Sequence, residues 1–410
     1  MPPQITVHGK DLRRMWDYKG GNFVLHHLQE SHDKKEITPE DYSIRDLFET
    51  LVPGGRELLS DWSRARRGGY QVTEAIHAVD TSAMANITGQ LFFNKIKDNL
   101  TADEFIGDQL VSVMPSNIQG EEIVPGIGTA ADEMADNITE GEPYPSIGLA
   151  EEFVTVPAAE KKGRILGLTR EVIIADKTGL LVERAGAIGT VMGIRKEKSI
   201  LDVVLGVVNP YKYRGEVRLT YGDGTTAGQA MGFLNESTAQ LVNYTDVQEV
   251  ADLFYTQRDP ISGEPFTHSP TTIVCGKTPA WAHRAVVRDT EVRLGNVTAA
   301  PGIQSVGGNR IPWNLDILNN EWVIQRLLLG NGGAGGLTVA DRAAANRHWV
   351  IGKPKSAFVW KELWPLFVEE APNNSEVQFT EDVWLRFKTG YYGVTGVLEP
   401  RLVIRSDGTA

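Results

Sequence analysis

Gly330 to Gly335 reads GNGGAG and satisfies the G-x-G-x-x-G spacing, in which bare backbone lets a dinucleotide pyrophosphate approach closely. The carboxylate that should hold the ribose about 20 residues on is missing, because after Asp341 the next acid is Glu362. Cys275 to Thr278, CGKT, ends like a phosphate-binding P-loop, but Thr271 stands where the first glycine belongs. His26, His27, Glu30 and His32 crowd together in HHLQESH without the H-E-x-x-H order that puts two zinc ligands on one helix face. The single cysteine, Cys275, lies in an apolar run, so a buried, unreactive thiol is expected and an intramolecular disulfide is excluded. The expectation is no metal, no cofactor and no enzyme; a nucleotide-dependent enzyme using Gly330–Gly335 is the rival from another class.

The elements that would position such groups point elsewhere. Ile44, Leu47, Phe48 and Leu51 recur at i, i+3, i+4, i+7, and Thr38 with Pro39 supplies a cap and a first turn for the same helix. A second, short helix is expected around QLFFNKIKDNL. Residues 118–146 are rich in glycine, proline and acids with little periodicity, which predicts a segment draped over another surface. Phe153 to Val156 then favours strand and EKKGR a turn before ILGLT, which together predict a long β-hairpin.

A helix is expected next over Leu180 to Gly206, with Leu181, Ala185, Ile188 and Met192 on one face. Gly186, Gly189 and Gly193 each cost up to ~1 kcal/mol inside it, so close approach of another backbone is expected there. Residues 211–350 alternate strand and helix signals: a hairpin signal at Asp223-Gly224, a helix over TDVQEVADLFYTQ, a buried strand in TTIVCG and a helix opened by Pro279. Val383, Leu385 and Phe387 alternate with polar residues, and Leu402 to Ile404 is expected to pair with them as a second antiparallel strand. The class is α+β.

Composition bounds the partners. The net charge of −12 disfavours general nucleic-acid binding through phosphate neutralisation. The start has no apolar leader, and no stretch nears the about 18 apolar residues that a membrane span needs, so synthesis in the cytosol is expected.

The order of these parts resembles the major capsid proteins of tailed phages, the Hong Kong 97-like fold. TSAMANITGQL with EFIGDQLV looks like the N-arm, GLTREVIIADKTGLL leading to GIRKEKSILDVVLG like the approach to the spine helix, and HWVIGKPKSAFVW with FTEDVWLRFKTGYYGVTGVLEPRLVIR like the return into the peripheral domain. The resemblance implies an N-terminal arm or extension over 1–117 and an extended β-hairpin loop over 118–168. It further implies a peripheral domain of 169–211 and 351–405 with its spine helix at 180–206, and an axial domain over 212–350. Residues 1–70 exceed the minimal fold and would be an arm clasping a neighbour or a scaffolding-like region.

The function implied is a structural one: hexamers and pentamers of the same chain closing into an icosahedral virion capsid around double-stranded DNA, assembled in the host cytoplasm. Portal, scaffold and decoration proteins are further implied partners, and no membrane is involved. An encapsulin-like compartment shell is the near alternative. On the extended loop, Glu151, Glu152, Glu160, Lys161, Lys162 and Arg164 become candidate intersubunit contacts. In some relatives a loop lysine bonds to an asparagine of a neighbour; Lys161 or Lys162 with Asn373 or Asn374 would be the pair here, with plain salt bridging as the default.

Overall fold

The computed structural model describes residues 9–37, 43–52, 56–57, 81–100, 105–126, 153–169, 180–222, 234–242, 244–258, 268–275, 291–294, 305–308, 315–318, 347–370 and 383–409. In chain order the helices are α1 (Gly9–Lys19), α2 (Gly21–Asp33), α3 (Ile44–Leu51), α4 (Thr81–Leu100), α5 (Gly107–Leu110), α6 (Leu180–Val204), α7 (Tyr244–Thr256) and α8 (Pro354–Ala357). The first strands are β1 (Ser112–Pro115), β2 (Glu122–Pro125), β3 (Phe153–Val156), β4 (Glu160–Thr169), β5 (Pro210–Tyr213), β6 (Glu216–Leu219) and β7 (Glu236–Ser237). They continue with β8 (Thr272–Cys275), β9 (Glu291–Leu294), β10 (Ser305–Gly308), β11 (Asp316–Leu318), β12 (Trp349–Gly352), β13 (Phe358–Glu370), β14 (Val383–Val397) and β15 (Val403–Ser406). The chain is mixed helix and sheet, as its patterning predicts.

Two compact units divide it: residues 1–102, 161–193 and 364–392 form the first, and 103–160, 194–363 and 393–410 the second. In the first unit the i, i+3, i+4, i+7 stripe of α3 does what its spacing predicts. Ile44, Leu47, Phe48 and Leu51 are buried in one cluster with Leu12 of α1, Val24 and Leu28 of α2, and Ile87, Leu91, Phe92 and Ile96 of α4. Phe92 meets Phe387 of β14 edge-to-face at 5.1 Å. The described N-terminal residues are thus helices folded onto α4 of their own chain. The helix expected around QLFFNKIKDNL is longer, taking in TSAMANITGQL as well. Thr38 and Pro39 lie outside the described residues, and α3 starts after Ser43.

The first half of α6 packs on α4 through its glycines. A Cβ at Gly186 would lie 2.6 Å from Asn99 Nδ2 and 2.9 Å from Lys95 Cε; one at Gly189 would lie 2.9 Å from Ile96 Cα and closer still to the Ile96 carbonyl oxygen. The close approach inferred from the glycines is therefore made by a helix.

In the second unit, the sheet β11-β8-β12-β15-β7 carries the core. Val247, Val250 and Phe254 of α7 join Ile273, Cys275, Trp349, Ile351 and Ile404, and Trp349 Nε1 donates to the Ala239 carbonyl at 3.1 Å. Cys275 is fully buried here, as its apolar run predicts. A thiol reagent is therefore expected to label it at least about 100-fold more slowly in native protein than in urea; equal rates would contradict this burial.

The end of α6 is capped by side chains from three segments. Tyr221 Oη donates to the Val204 carbonyl at 2.6 Å, Arg405 Nη1 donates to that of Gly206 at 2.9 Å, and His348 Nδ1 lies 2.9 Å from that of Leu205. Gly206 takes φ +69°, the left-handed residue that stops the helix, so α6 ends two residues before the predicted limit. Burial pushes His348 down to about 4, so near neutral pH its ring is uncharged, with Nδ1–H donating to Leu205.

Two strand expectations are overturned. Phe153–Val156 does not turn at EKKGR to pair with ILGLT, because Glu160–Thr169 is itself one strand, β4, bonded to β14. The partner of β3 comes earlier in the chain: β2 pairs with it antiparallel, Ile123 opposite Thr155. A hairpin thus exists inside 118–168, but its strands are 122–125 and 153–156. Likewise β15 does not pair with β14; it lies between β12 and β7, in a different sheet. The Asp223-Gly224 turn, the helix at Pro279 and the GNGGAG stretch lie outside the described residues.

Candidate intersubunit surface

Of the six loop residues singled out by sequence, Glu151 and Glu152 lie outside the described residues, as do Asn373 and Asn374. The other four fall on β4, the edge of the sheet β1-β13-β14-β4. Glu160, Lys161 and Arg164 are exposed and Lys162 half-buried. An edge strand offers unpaired backbone groups to another chain, and charges are the usual protection of such an edge.

In the first unit glycines set how closely β4 lies on β14. A Cβ at Gly163 would sit 2.5 Å from the Thr389 carbonyl oxygen, and one at Gly390 would sit 2.9 Å from that of Lys162. Leu166, Leu366 and Val368 pack against the helical core, while Ile165 is 60% exposed. The Lys161 ammonium lies 4.9 Å from the centre of the Trp364 ring and 5.7 Å from that of Phe367. Trp364 is 48% exposed and meets Phe367 and Tyr392 edge-to-face, both at 5.9 Å. Lys388 stands 5.6 Å from the Phe367 ring and pairs with Glu369. The result is an exposed aromatic patch topped by cations, suited to a partner surface carrying carboxylates and apolar side chains.

The second unit presents another such face. Across the sheet β2-β3-β5-β6, Ile123, Thr155, Lys212 and Val217 form one row, and Ile123 and Val217 are 67% and 62% exposed. The opposite face holds the buried Val154, Val156, Tyr211 and Tyr213. β5 and β6 are joined by Arg214 and Gly215, both at positive φ as a two-residue hairpin requires.

Buried charges hold the start of β2 and the segment before β1, and sequence reading missed them. Lys361 is fully buried on β13; its ammonium donates to the Gly120 carbonyl at 2.8 Å and lies 3.1 Å from Glu122 Oε2. Ser116 Oγ donates to the same Glu122 oxygen at 2.5 Å, and chiefly this bond, helped by Lys361, holds the Glu122 carboxyl below its ordinary value. Upstream, the amides of Ile106 and Gly107 donate to Oε1 and Oε2 of Glu197 at 2.9 and 2.8 Å. Burial pushes that carboxyl up to about 7 in spite of the two donors. Glu197 is flanked by Lys196 and Lys198, and Lys361 is followed by Glu362, so each reads as a surface charge in sequence.

HHLQESH lies on α2; His32 Nε2 is 2.8 Å from Asp98 Oδ2 of α4. Among the described residues no cluster of three or more His, Cys, Asp or Glu could hold a metal ion, and no helix is long and apolar enough to cross a membrane.

A family model described as phage capsid protein matches residues 150–406. No curated protein matches the chain. Among solved structures, the capsid of the cyanophage P-SCSP1u is similar with 11% identity over 72% of this chain and 86% of that one, TM-score 0.43. The mature capsid of bacteriophage PhiM1 is similar at 10% identity over 73% and 86%, TM-score 0.41. The virus-like particle from Pyrococcus furiosus is similar at 8% over 77% and 97%, TM-score 0.36.

Proposed function

Because the chain belongs to the phage capsid protein family and is a structural subunit of a virion shell made of many copies of itself, we propose that it closes as hexamers and pentamers into an icosahedral capsid around double-stranded DNA. The observation that carries this reading is the family match over residues 150–406. In this reading the chain works by binding its own copies rather than by catalysis. Assembly takes place in the host cytoplasm, with portal, scaffold or decoration proteins as further partners.

Residues 118–168 act as the extended loop, 180–206 as the spine of a peripheral domain and 212–350 as an axial domain. Glu151, Glu152, Glu160, Lys161, Lys162 and Arg164 grip the neighbouring copy. Support for that grip comes from the edge position of β4 and the exposure of Lys161, Arg164 and Ile165. The sequence 127–152, with seven acids and no lysine or arginine, supplies opposite charge. Each contact is weak, and repetition around a closed shell multiplies it.

The test reverses charge at the two exposed cations of the edge strand: Lys161→Glu and Arg164→Glu together. Exposed side chains carry little of the fold's stability, so the expected product is a folded subunit with unchanged circular dichroism that forms no shells by electron microscopy. Shells of normal number and diameter from the double variant would overturn the grip. If the unaltered chain formed only small discrete oligomers, the capsid proposal itself would fall.

A further inference from the structure

One face of the sheet β2-β3-β5-β6 has the side chains of a core but is turned to solvent. Residues directly opposite one another on paired strands share a face. The row that runs from Ile123 to Val217 is therefore flanked on its own side by Phe153, opposite Pro125, and by Leu219, opposite Pro210. Ile123, Val217 and both prolines are exposed, and Phe153 and Leu219 are half-buried. Lys212 is the one charged residue on this face, and its ammonium lies 2.5 Å from Glu121 Oε1, so the face has no unpaired charge to offer. Its shape is set in advance, because the reverse side is anchored by the buried Val154, Val156, Tyr211 and Tyr213. An exposed apolar patch with paired charges at its rim has the anatomy of a protein contact.

We propose that this face is a contact between copies, on which a neighbouring subunit of the shell seats an uncharged, apolar surface of its own. Charge speaks against the other common partners: a phosphate backbone or an anionic lipid surface needs cations that are not already paired. Size then separates another copy from an unrelated protein. Strands about 4.8 Å apart with a rise of about 3.3 Å per residue give this four-stranded patch a footprint on the order of 250 Å². Each partner in a stable complex buries about 800 Å², so a protein bound here alone would not stay. A neighbouring copy is held by the other contacts of the shell as well, and the patch adds to them. The contact rests on the shell reading and extends it from β4 to a second place on the chain, in the second unit.

Cys275 is the only cysteine of the chain and is buried, so the thiol introduced by Val217→Cys can be followed by itself with a maleimide. In shells assembled from the purified full-length chain it should be labelled at least about tenfold more slowly than in dissociated subunits. Subunits labelled beforehand with a bulky maleimide and mixed with wild type should enter shells at least about tenfold less often than unlabelled ones. That second readout separates a filled contact from a thiol that merely faces a closed interior. Ile123→Cys, on the opposite edge of the sheet, should behave alike and replaces Val217→Cys if that variant does not fold. Equal labelling rates in shells and subunits, or bulky-labelled subunits entering shells as readily as unlabelled ones, would overturn the contact and leave the face to a separate protein, with the shell reading intact. If the wild-type chain forms no shells at all, the shell reading falls first and this contact falls with it.

Discussion

Glu399→Ala is expected to lower the stability of the second unit by about 3–5 kcal/mol, the usual consequence of removing one partner from a buried ion pair. Arg401 is fully buried and grips Glu399 with both arms of its guanidinium, Nε on Oε1 and Nη2 on Oε2, each at 2.8 Å. The pair sits in the turn between β14 and β15, where Leu398 and Glu399 amides donate to the Ala357 carbonyl. Without the carboxylate, a dry guanidinium loses its bidentate partner. Urea unfolding would show this as a large fall in midpoint. A double variant, Glu399→Leu with Arg401→Met, should recover much of the loss, because the cost lies in the stranded charge rather than in the missing bond. A Glu399→Ala midpoint within error of wild type would sink this account.

The second large effect is at Gly189. Gly189→Ala adds a methyl group 2.9 Å from the Cα of Ile96 and closer to its carbonyl oxygen, and backbone cannot move aside as a side chain can. Overpacking of this kind costs about 1–3 kcal/mol, against a helix-propensity gain of about 1 kcal/mol for replacing glycine. Net destabilisation is expected, deepening for Gly189→Leu. Gly186→Ala is the control: its new Cβ would meet the mobile ends of Asn99 and Lys95, so the propensity gain should leave it near neutral. Thermal unfolding that ranks the two alanine variants equal, or Gly189→Ala above wild type, would mean that α4 and α6 are not in backbone contact there.

These features differ in how visible they are in the sequence. Glycines in a helical stretch announce a close approach, because nothing else repays their propensity cost, yet only the fold could say that α4 is the partner of Gly186 and Gly189. The α3 stripe is fully legible: Ile44, Leu47, Phe48 and Leu51 are each 0–1% exposed. The strand Phe153–Val156 is also legible, but its pairing is not. Four residues with alternating burial fit any complementary edge, and the edge they find is β2, well upstream in the chain, with Val124 opposite Val154. The turn at Arg214-Gly215 escapes notice because Arg214 holds a positive φ usually given to glycine, asparagine or aspartate.

What the sequence by itself determined is the period-based part: helices where apolar residues recur every three or four positions, strands where they alternate, an α+β class and an acidic chain whose resemblance led to a capsid family. These are local quantities, decided by neighbours in the chain. Tertiary structure alone decided which strand edges pair, that Glu160–Thr169 lies on an edge with its charges outward, and that Glu197, Lys361 and Arg401 are buried. A charged residue reads as surface in any sequence pattern. Its burial depends on donors and acceptors brought from 2 to 241 positions away, as for Glu399 beside Arg401 and Gly120 against Lys361, and that is a property of the folded chain alone.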